Sequence, residues 1–135
     1  SAEEVIFPIH PRTRKAIKEF GLRIPENVSA VEPVSYLDML KLEAGADKIL
    51  TDSGGVQKEA YMLKIPCVTL RKETEWNETL KGGWNILAGS DGERILSALK
   101  SRPSRDEYRE DVFGEGNAAG KMVEILKQFL NVENR

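Results

Sequence analysis

The run Ile49-Leu50-Thr51-Asp52-Ser53-Gly54-Gly55-Val56-Gln57-Lys58-Glu59-Ala60 constrains this chain more than any other stretch. An apolar segment stops at Asp-Ser-Gly-Gly, and Val56, Ala60 and Leu63 then recur at spacings of four and three. That order dictates strand, tight turn and helix, with the helix over 56–64. Glycines at 54 and 55 let the backbone turn sharply and keep side chains away from anything lying above it. The first N–H groups of a helix are unpaired, and the helix dipole favours an anion in front of them. Ser53 stands at the N-cap, where its hydroxyl can cap the helix or bond a phosphate oxygen. Glu59 lies on the border of the apolar stripe. A carboxylate there repels phosphate, so a sugar hydroxyl suits it better. A bare capped turn has the same look, so the rest of the chain must decide.

Before this run, Val5-Ile6-Phe7-Pro8-Ile9 reads as a short buried strand with Pro8 near its end, since proline cannot donate to a ladder. His10-Pro11-Arg12 leads into a helix from about Thr13, closed by Gly21. Val28 to Val31 forms the next strand, and Ser35-Tyr36-Leu37-Asp38 has the spacing of a capping box opening a helix that Gly45 stops. After the central helix, Cys67-Val68-Thr69-Leu70 reads as a strand and Arg71 to Lys81 as an irregular polar segment. Gly82-Gly83 breaks that segment ahead of a strand from Asn85 to Ala88. A helix from Asp91 turns Ile95, Leu96 and Leu99 inward. The last helix carries Ala118, Ala119, Met122, Val123, Leu126, Phe129 and Leu130 at steps of three and four, the pattern of an amphipathic face.

Strands thus alternate with helices, and the strands are short apolar runs without period-two alternation. A parallel sheet covered on both faces has this signature, so the expected fold is a single Rossmann-like, doubly wound α/β domain over 1–135. Its 135 residues suffice for one such core. The 20 Lys and Arg are dispersed among 22 Asp and Glu, which excludes a nucleic-acid surface. No apolar run approaches the roughly 20 residues that span a bilayer. A lone cysteine, Cys67, allows no internal disulfide, and the expected compartment is the cytoplasm. The abrupt start, a few residues ahead of an apolar run, points to a domain cut from something longer.

Ligands of open parallel sheets bind at the carboxyl ends of the strands. His10-Pro11-Arg12, Ser53-Gly54-Gly55, and Arg71 with Thr74 and Glu75 all fall there on this reading. Each also has a plain structural explanation: His10 as a helix-entry residue bonding backbone, Arg71 as a surface cation. Glu75 and Glu78 read as solvated loop acids before they read as an acid–base pair. Trp76 and Trp84 read as packing under a loop before they read as stacking platforms, and Cys67 reads as core. No nucleophile–base pair, metal cluster or Walker-type lysine is visible. Residues alone lead to an α/β domain that binds a phosphorylated, nucleotide-type ligand, with no chemical step named.

Thr51 to Ala60, followed by Pro66-Cys67-Val68-Thr69-Leu70-Arg71 and Thr74-Glu75-Trp76, closely resembles the non-hydrolysing UDP-N-acetylglucosamine 2-epimerases. Gly83-Trp84-Asn85, Phe113-Gly114-Glu115-Gly116-Asn117-Ala118-Ala119 and His10-Pro11-Arg12 extend the resemblance over about residues 5 to 130. It covers well under half of that family's enzyme. It implies a two-domain, B-type glycosyltransferase-like architecture of which this chain is most of the C-terminal domain. It also implies that Ser53, Gly54 and Gly55 hold the diphosphate of UDP, that Glu59 bonds the ribose hydroxyls and that His10 contacts UDP. Arg71, Thr74 and Glu75 match a motif beside the cleft.

The reaction so implied interconverts UDP-N-acetylglucosamine and UDP-N-acetylmannosamine by eliminating and re-adding UDP. It needs no cofactor and no metal, and its catalytic residues lie in a part absent here. A histidine–arginine motif that opens the family's C-terminal domain is also absent, so the fragment alone is expected to be inactive. The forms Gln57-Lys58-Glu59-Ala60-Tyr61 and Glu75-Trp76 also look like relatives acting on UDP-2,3-diacetamido uronic acids. A B-type glycosyltransferase domain and a nucleotide-sensing module are the remaining readings. The expected partners are UDP and a UDP-sugar, with no nucleic acid and no membrane, and a homodimer for the full-length protein.

Overall fold

The computed structural model describes residues 3–133, which divide near the end of the second helix into two compact segments, 3–42 and 43–133. In the first segment, β1 (Val5–Pro8) pairs in parallel with β2 (Val28–Val31), with Val5 opposite Val28 and Pro8 opposite Val31. Pro8 closes its strand, where a missing N–H removes no interior rung. The helix α1 (Pro11–Glu19) runs between them and starts earlier than the periodicity suggests. Pro11 at its first position has the fixed φ that a helix needs and an N–H that would be unpaired there anyway. α2 (Tyr36–Ala44) opens at Ser35, whose Oγ accepts from Asp38 N at 3.3 Å and donates to Asp38 Oδ2 at 2.7 Å. The serine half of the capping box is therefore formed, while the Asp38 carboxylate accepts from the Ser35 hydroxyl instead of its N–H.

The second segment carries β3 (Ile49–Thr51), α3 (Gly54–Met62), β4 (Cys67–Thr69), β5 (Asn85–Leu87), α4 (Gly92–Lys100) and α5 (Ala118–Glu133). The strands lie in the order β3-β4-β5, all parallel, with Ile49 opposite Cys67 and Cys67 opposite Asn85. Side chains of β4 alternate between two small cores. Cys67 joins Ile49 and Ala60, with Val56 and Ile65 against them; Val68 joins Ala88 and Ala98, with Ile95 and Leu99 against them. The sheet is thus covered by α3 on one face and α4 on the other, the doubly wound arrangement expected from buried strands without alternation. Burying Val68, which is 1% exposed, contributes about 1.5–3 kcal/mol. Lys48 Nζ donates to the carbonyls of Ala98, Leu99 and Ser101 at 3.1, 2.7 and 2.7 Å. A cation is thereby placed at the negative end of α4.

The structure revises three sequence expectations. α3 begins at Gly54, so both glycines lie inside the helix rather than ahead of it. On α4 the inward face is Ile95, Ala98 and Leu99, a spacing of three and four, while Leu96 lies off that face at 60% exposure. On α5, Met122, Val123, Ile125, Leu126 and Phe129 stand in solvent at 49–64% exposure. That stripe is apolar but is not core among the described residues. None of the helices described is long and apolar enough to cross a membrane.

Between β4 and β5 the chain forms a short 3-10 helix, Asn77–Gly83, kinked at Lys81 and Gly82. Gly82 has φ +63, and a β-carbon there would meet Glu107 Cβ at 2.8 Å and the Ser104 carbonyl at 3.1 Å. Gly82 O also accepts from Ser104 N at 2.7 Å. Left-handed backbone and contact with backbone on the far side both require glycine here. Gly82→Ala is expected to destabilise the chain by roughly 2 kcal/mol, read as a lowered midpoint in denaturant unfolding with an unchanged m-value.

Candidate functional site

The first turn of α3 sits directly after the carboxyl end of β3. Ser53 is its N-cap, with extended backbone and an Oγ that accepts from Val56 N at 3.5 Å. That is a long bond, and the hydroxyl is exposed. The amides of Gly54 and Gly55 have no acceptor among the described residues. Neither glycine has positive φ, so conformation is not what demands them. Space is tight at Gly54 alone. A β-carbon at Gly54 would stand 3.2 Å from Trp76 Nε1 and 3.7 Å from Glu75 Oε2, while one at Gly55 would meet nothing closer than Ser53 Oγ at 3.7 Å. The result is a helix start with bare amides, one wall formed by the segment after β4.

That wall carries Arg71, Thr74 and Glu75, which the sequence reading expects to line a cleft. Arg71 pairs with Glu75 through two bonds, Nη2 to Oε1 at 2.8 Å and Nη1 to Oε2 at 3.2 Å. The guanidinium holds the Glu75 carboxyl below its usual range, and the carboxylate raises Arg71 in turn. The pair is exposed, so it is weak and can be exchanged for a better anion. Trp76 lies beside Gly54 with Lys58 Nζ 4.1 Å from its ring centre and Phe113 edge-on at 6.0 Å. Its indole N–H has no acceptor among the described residues. Trp84 is buried and donates from Nε1 to Ser104 O at 3.0 Å, so it packs under a loop as expected. Glu78 is a solvated acid of the 3-10 helix.

Beneath the wall lies a buried polar network that the sequence reading missed. Thr74 Oγ1 donates to Gln57 Oε1 at 2.6 Å and accepts from Trp76 N at 3.1 Å. Asn85 Nδ2 donates to Gln57 Oε1 at 3.1 Å and to Thr79 Oγ1 at 3.0 Å, while its Oδ1 accepts from Thr69 Oγ1 at 2.6 Å. Thr79 Oγ1 donates onward to Trp76 O at 2.7 Å. Gln57, Thr69 and Thr79 are wholly buried. The available signal was Gln57 itself, a polar residue on the inward stripe of α3 between Val56 and Ala60. A second clasp holds residues 104–113 to α3. Tyr61 stacks on Tyr108 at 4.8 Å, its hydroxyl accepts from Arg109 N at 3.1 Å, and Tyr108 Oη donates to Tyr61 O at 3.0 Å.

His10 belongs to the other segment. It is the N-cap of α1, its Nδ1 accepting from Arg12 N at 3.2 Å. That bond leaves Nε2 as the protonated, donor nitrogen of the neutral ring. Cys67 is buried and its thiol is pushed up to about 11 by desolvation, against a weaker opposing bond from Thr69. It is a core residue and not a nucleophile. Among the described residues no cluster of His, Cys, Asp or Glu could hold a metal ion.

Glu59 is half-buried on α3 and faces Glu43, which is 2% exposed with both carboxylate oxygens unpartnered. Desolvation first, and the charge of Glu59 second, push Glu43 up to about 7 from 4.5. The folded state therefore holds the extra proton between those values, and stability present below 4.5 declines as pH rises through about 7. Glu43→Gln is expected to flatten that decline and to be more stable than the parent chain at pH 8 by on the order of 2–3 kcal/mol. Thermal unfolding measured from pH 4 to 8 checks it.

The sequence profile of the UDP-N-acetylglucosamine 2-epimerases matches residues 1–127. A UDP-N-acetylglucosamine 2-epimerase homolog of Methanococcus maripaludis is 53% identical over 132 residues, covering 94% of this chain and 37% of the relative. A UDP-2,3-diacetamido-2,3-dideoxy-D-glucuronate 2-epimerase of Pseudomonas aeruginosa is 40% identical over 90% of this chain and 34% of its own length. The crystal structure of a Methanocaldococcus jannaschii UDP-GlcNAc 2-epimerase in complex with UDP-GlcNAc and UDP superposes with a TM-score of 0.78 at 42% identity. That match covers 93% of this chain and 36% of the other. The chain thus spans little more than a third of the proteins it matches.

Proposed function

The chain belongs to the UDP-N-acetylglucosamine 2-epimerase family, and from that premise we propose that residues 1–135 are a nucleotide-sugar-binding domain, the C-terminal part of a longer two-domain, B-type glycosyltransferase-like isomerase. The observation that carries the proposal is the bare first turn of α3. Gly54 and Gly55 offer open amides at the positive end of the helix, and Ser53 adds a hydroxyl. A diphosphate oxygen drawing the Ser53 hydroxyl away from Val56 would release a third amide, since the capping bond is only 3.5 Å. Arg71 exchanges its exposed carboxylate partner for phosphate, a charge-assisted bond worth more than a surface pair. Glu59, farther along the helix, takes the ribose hydroxyls. The family resemblance adds His10, the N-cap of α1 in the first segment, as a further UDP contact.

In this reading the domain grips the leaving group. The reaction removes the C2 proton of UDP-N-acetylglucosamine and breaks the bond from C1 to the β-phosphate oxygen, giving a glycal and UDP. Re-addition of UDP with the proton returned to the opposite face gives UDP-N-acetylmannosamine. Negative charge grows on the diphosphate as the C1–O bond breaks, so amides and a guanidinium fixed around it act on the transition state. The acid–base residues belong to the part outside this chain. The apolar stripe of α5 is where that part would pack, in a protein that is cytoplasmic and homodimeric. The Pseudomonas relative favours one second reading, a UDP-2,3-diacetamido uronic acid as substrate.

Incubating the full-length protein with UDP-N-acetylglucosamine in deuterated water, with no acceptor, is the test. UDP-N-acetylmannosamine carrying deuterium at C2 is the expected product, and the 135-residue chain alone is expected to give none. Conversion only of a UDP-2,3-diacetamido uronic acid would select the second reading. Turnover only with an acceptor would overturn both in favour of a transferase.

A further inference from the structure

We infer that Gln57 is a positioning residue: its buried side-chain oxygen holds the Arg71–Trp76 segment over the first turn of α3, making that segment part of the nucleotide site. This inference rests on the placement of UDP proposed above. Gln57 lies on α3 itself, wholly buried, so the helix whose amides face the ligand also carries the anchor for the wall. The direction of each bond in the network is determined. Thr74 Oγ1 accepts from the Trp76 N–H, so its single proton must go to the Gln57 oxygen. Asn85 spends its Oδ1 on Thr69, so its Nδ2 hydrogens go to Gln57 and Thr79. Thr79 in turn donates to the Trp76 carbonyl. The Trp76 backbone is therefore held at both its N–H and its C=O by hydroxyls tied to the Gln57 acceptor, that of Thr74 directly and that of Thr79 through Asn85. The Trp76 ring, beside Gly54, is held in consequence.

Stability alone does not explain a glutamine here. Its Nε2 is buried with no acceptor, and an orphaned donor is a cost. Only the oxygen is used. Methionine at this position matches the length, removes the orphaned nitrogen and lacks the acceptor, so it tests the oxygen while keeping the fold. No other polar tie from α3 to Arg71–Trp76 is present among the described residues; Lys58 contributes through the Trp76 ring face.

The experiment compares the parent chain with Gln57→Met, Thr74→Val, Thr74→Ser and the Gln57→Met/Thr74→Val double variant. It follows the Trp76 indole N–H by NMR, identified with Trp76→Phe, and UDP affinity by calorimetry. Gln57→Met is expected to shift the Trp76 indole signal in the ligand-free chain and to weaken UDP about tenfold, while the amides of Gly54 and Gly55 still respond to UDP. Thr74→Val should do the same, Thr74→Ser should restore the response, and the double variant should be no weaker than either single one, because both break one linkage. A Gln57→Met chain with the parent's Trp76 signal and the parent's affinity overturns the inference. If Gln57→Met fails to fold, the contrast between valine and serine at 74 decides alone. Should the parent chain itself ignore UDP, the nucleotide reading fails, and an unmoved Trp76 signal in ligand-free Gln57→Met then separately overturns the inference.

Discussion

The amides of Gly54 and Gly55 are unpaired among the described residues because they open α3, and they place a partial positive charge at the head of the helix. Arg71 is a full cation nearby, but Glu75 holds it in a two-bond pair. The partial charge of the helix terminus belongs to the backbone and stays fixed in place. The rest of the segment serves that turn. β3 leads into it, Ala60 and Val56 fix α3 against the sheet through Ile49 and Cys67, and the missing β-carbon at Gly54 leaves room for Trp76.

Around the turn the structure divides labour between two kinds of contact. Aromatic packing of Tyr61, Tyr108, Trp84 and Phe113 secures the far loop with non-directional burial. The near wall is set instead by directional bonds through Gln57, Thr74, Asn85 and Thr79, which fix hydroxyl and amide orientations as burial alone cannot. Such a network suits a surface that must present Arg71, Glu75 and Trp76 at fixed positions. The adjacent Glu43 lowers stability at neutral pH through its buried, unpartnered carboxyl. A buried acid placed beside Glu59 fits a region where stability was not the only requirement.

Much of this was legible in the chain because it rests on local rules. The strand-to-helix step with Ser53 at the N-cap, the Ser35 cap and the buried β4 run each follow from short-range chemistry, and each is present. What escaped was set by distant partners. Gly54 was read as a turn glycine, whereas its reason is the Trp76 ring arriving from beyond β4. Gln57 was read as part of a helical pattern, and only the meeting of α3 with Thr74 and Asn85 gives it a role. On α4 the helical period itself gives Ile95, Ala98 and Leu99 as one face, and Leu96, expected inward, lies off it. On α5 the apolar period is present, and Met122, Val123, Leu126 and Phe129 on it are exposed among the described residues.

The account turns on a diphosphate at the start of α3, and an amide-resolved titration with UDP, run beside uridine, tests it most directly. Saturable shifts of Ser53, Gly54, Gly55 and Glu59 with UDP, and none at the first three with uridine, are the predicted result. UDP-dependent shifts confined to other parts of the chain, or equal responses to uridine at Gly54 and Gly55, would contradict it.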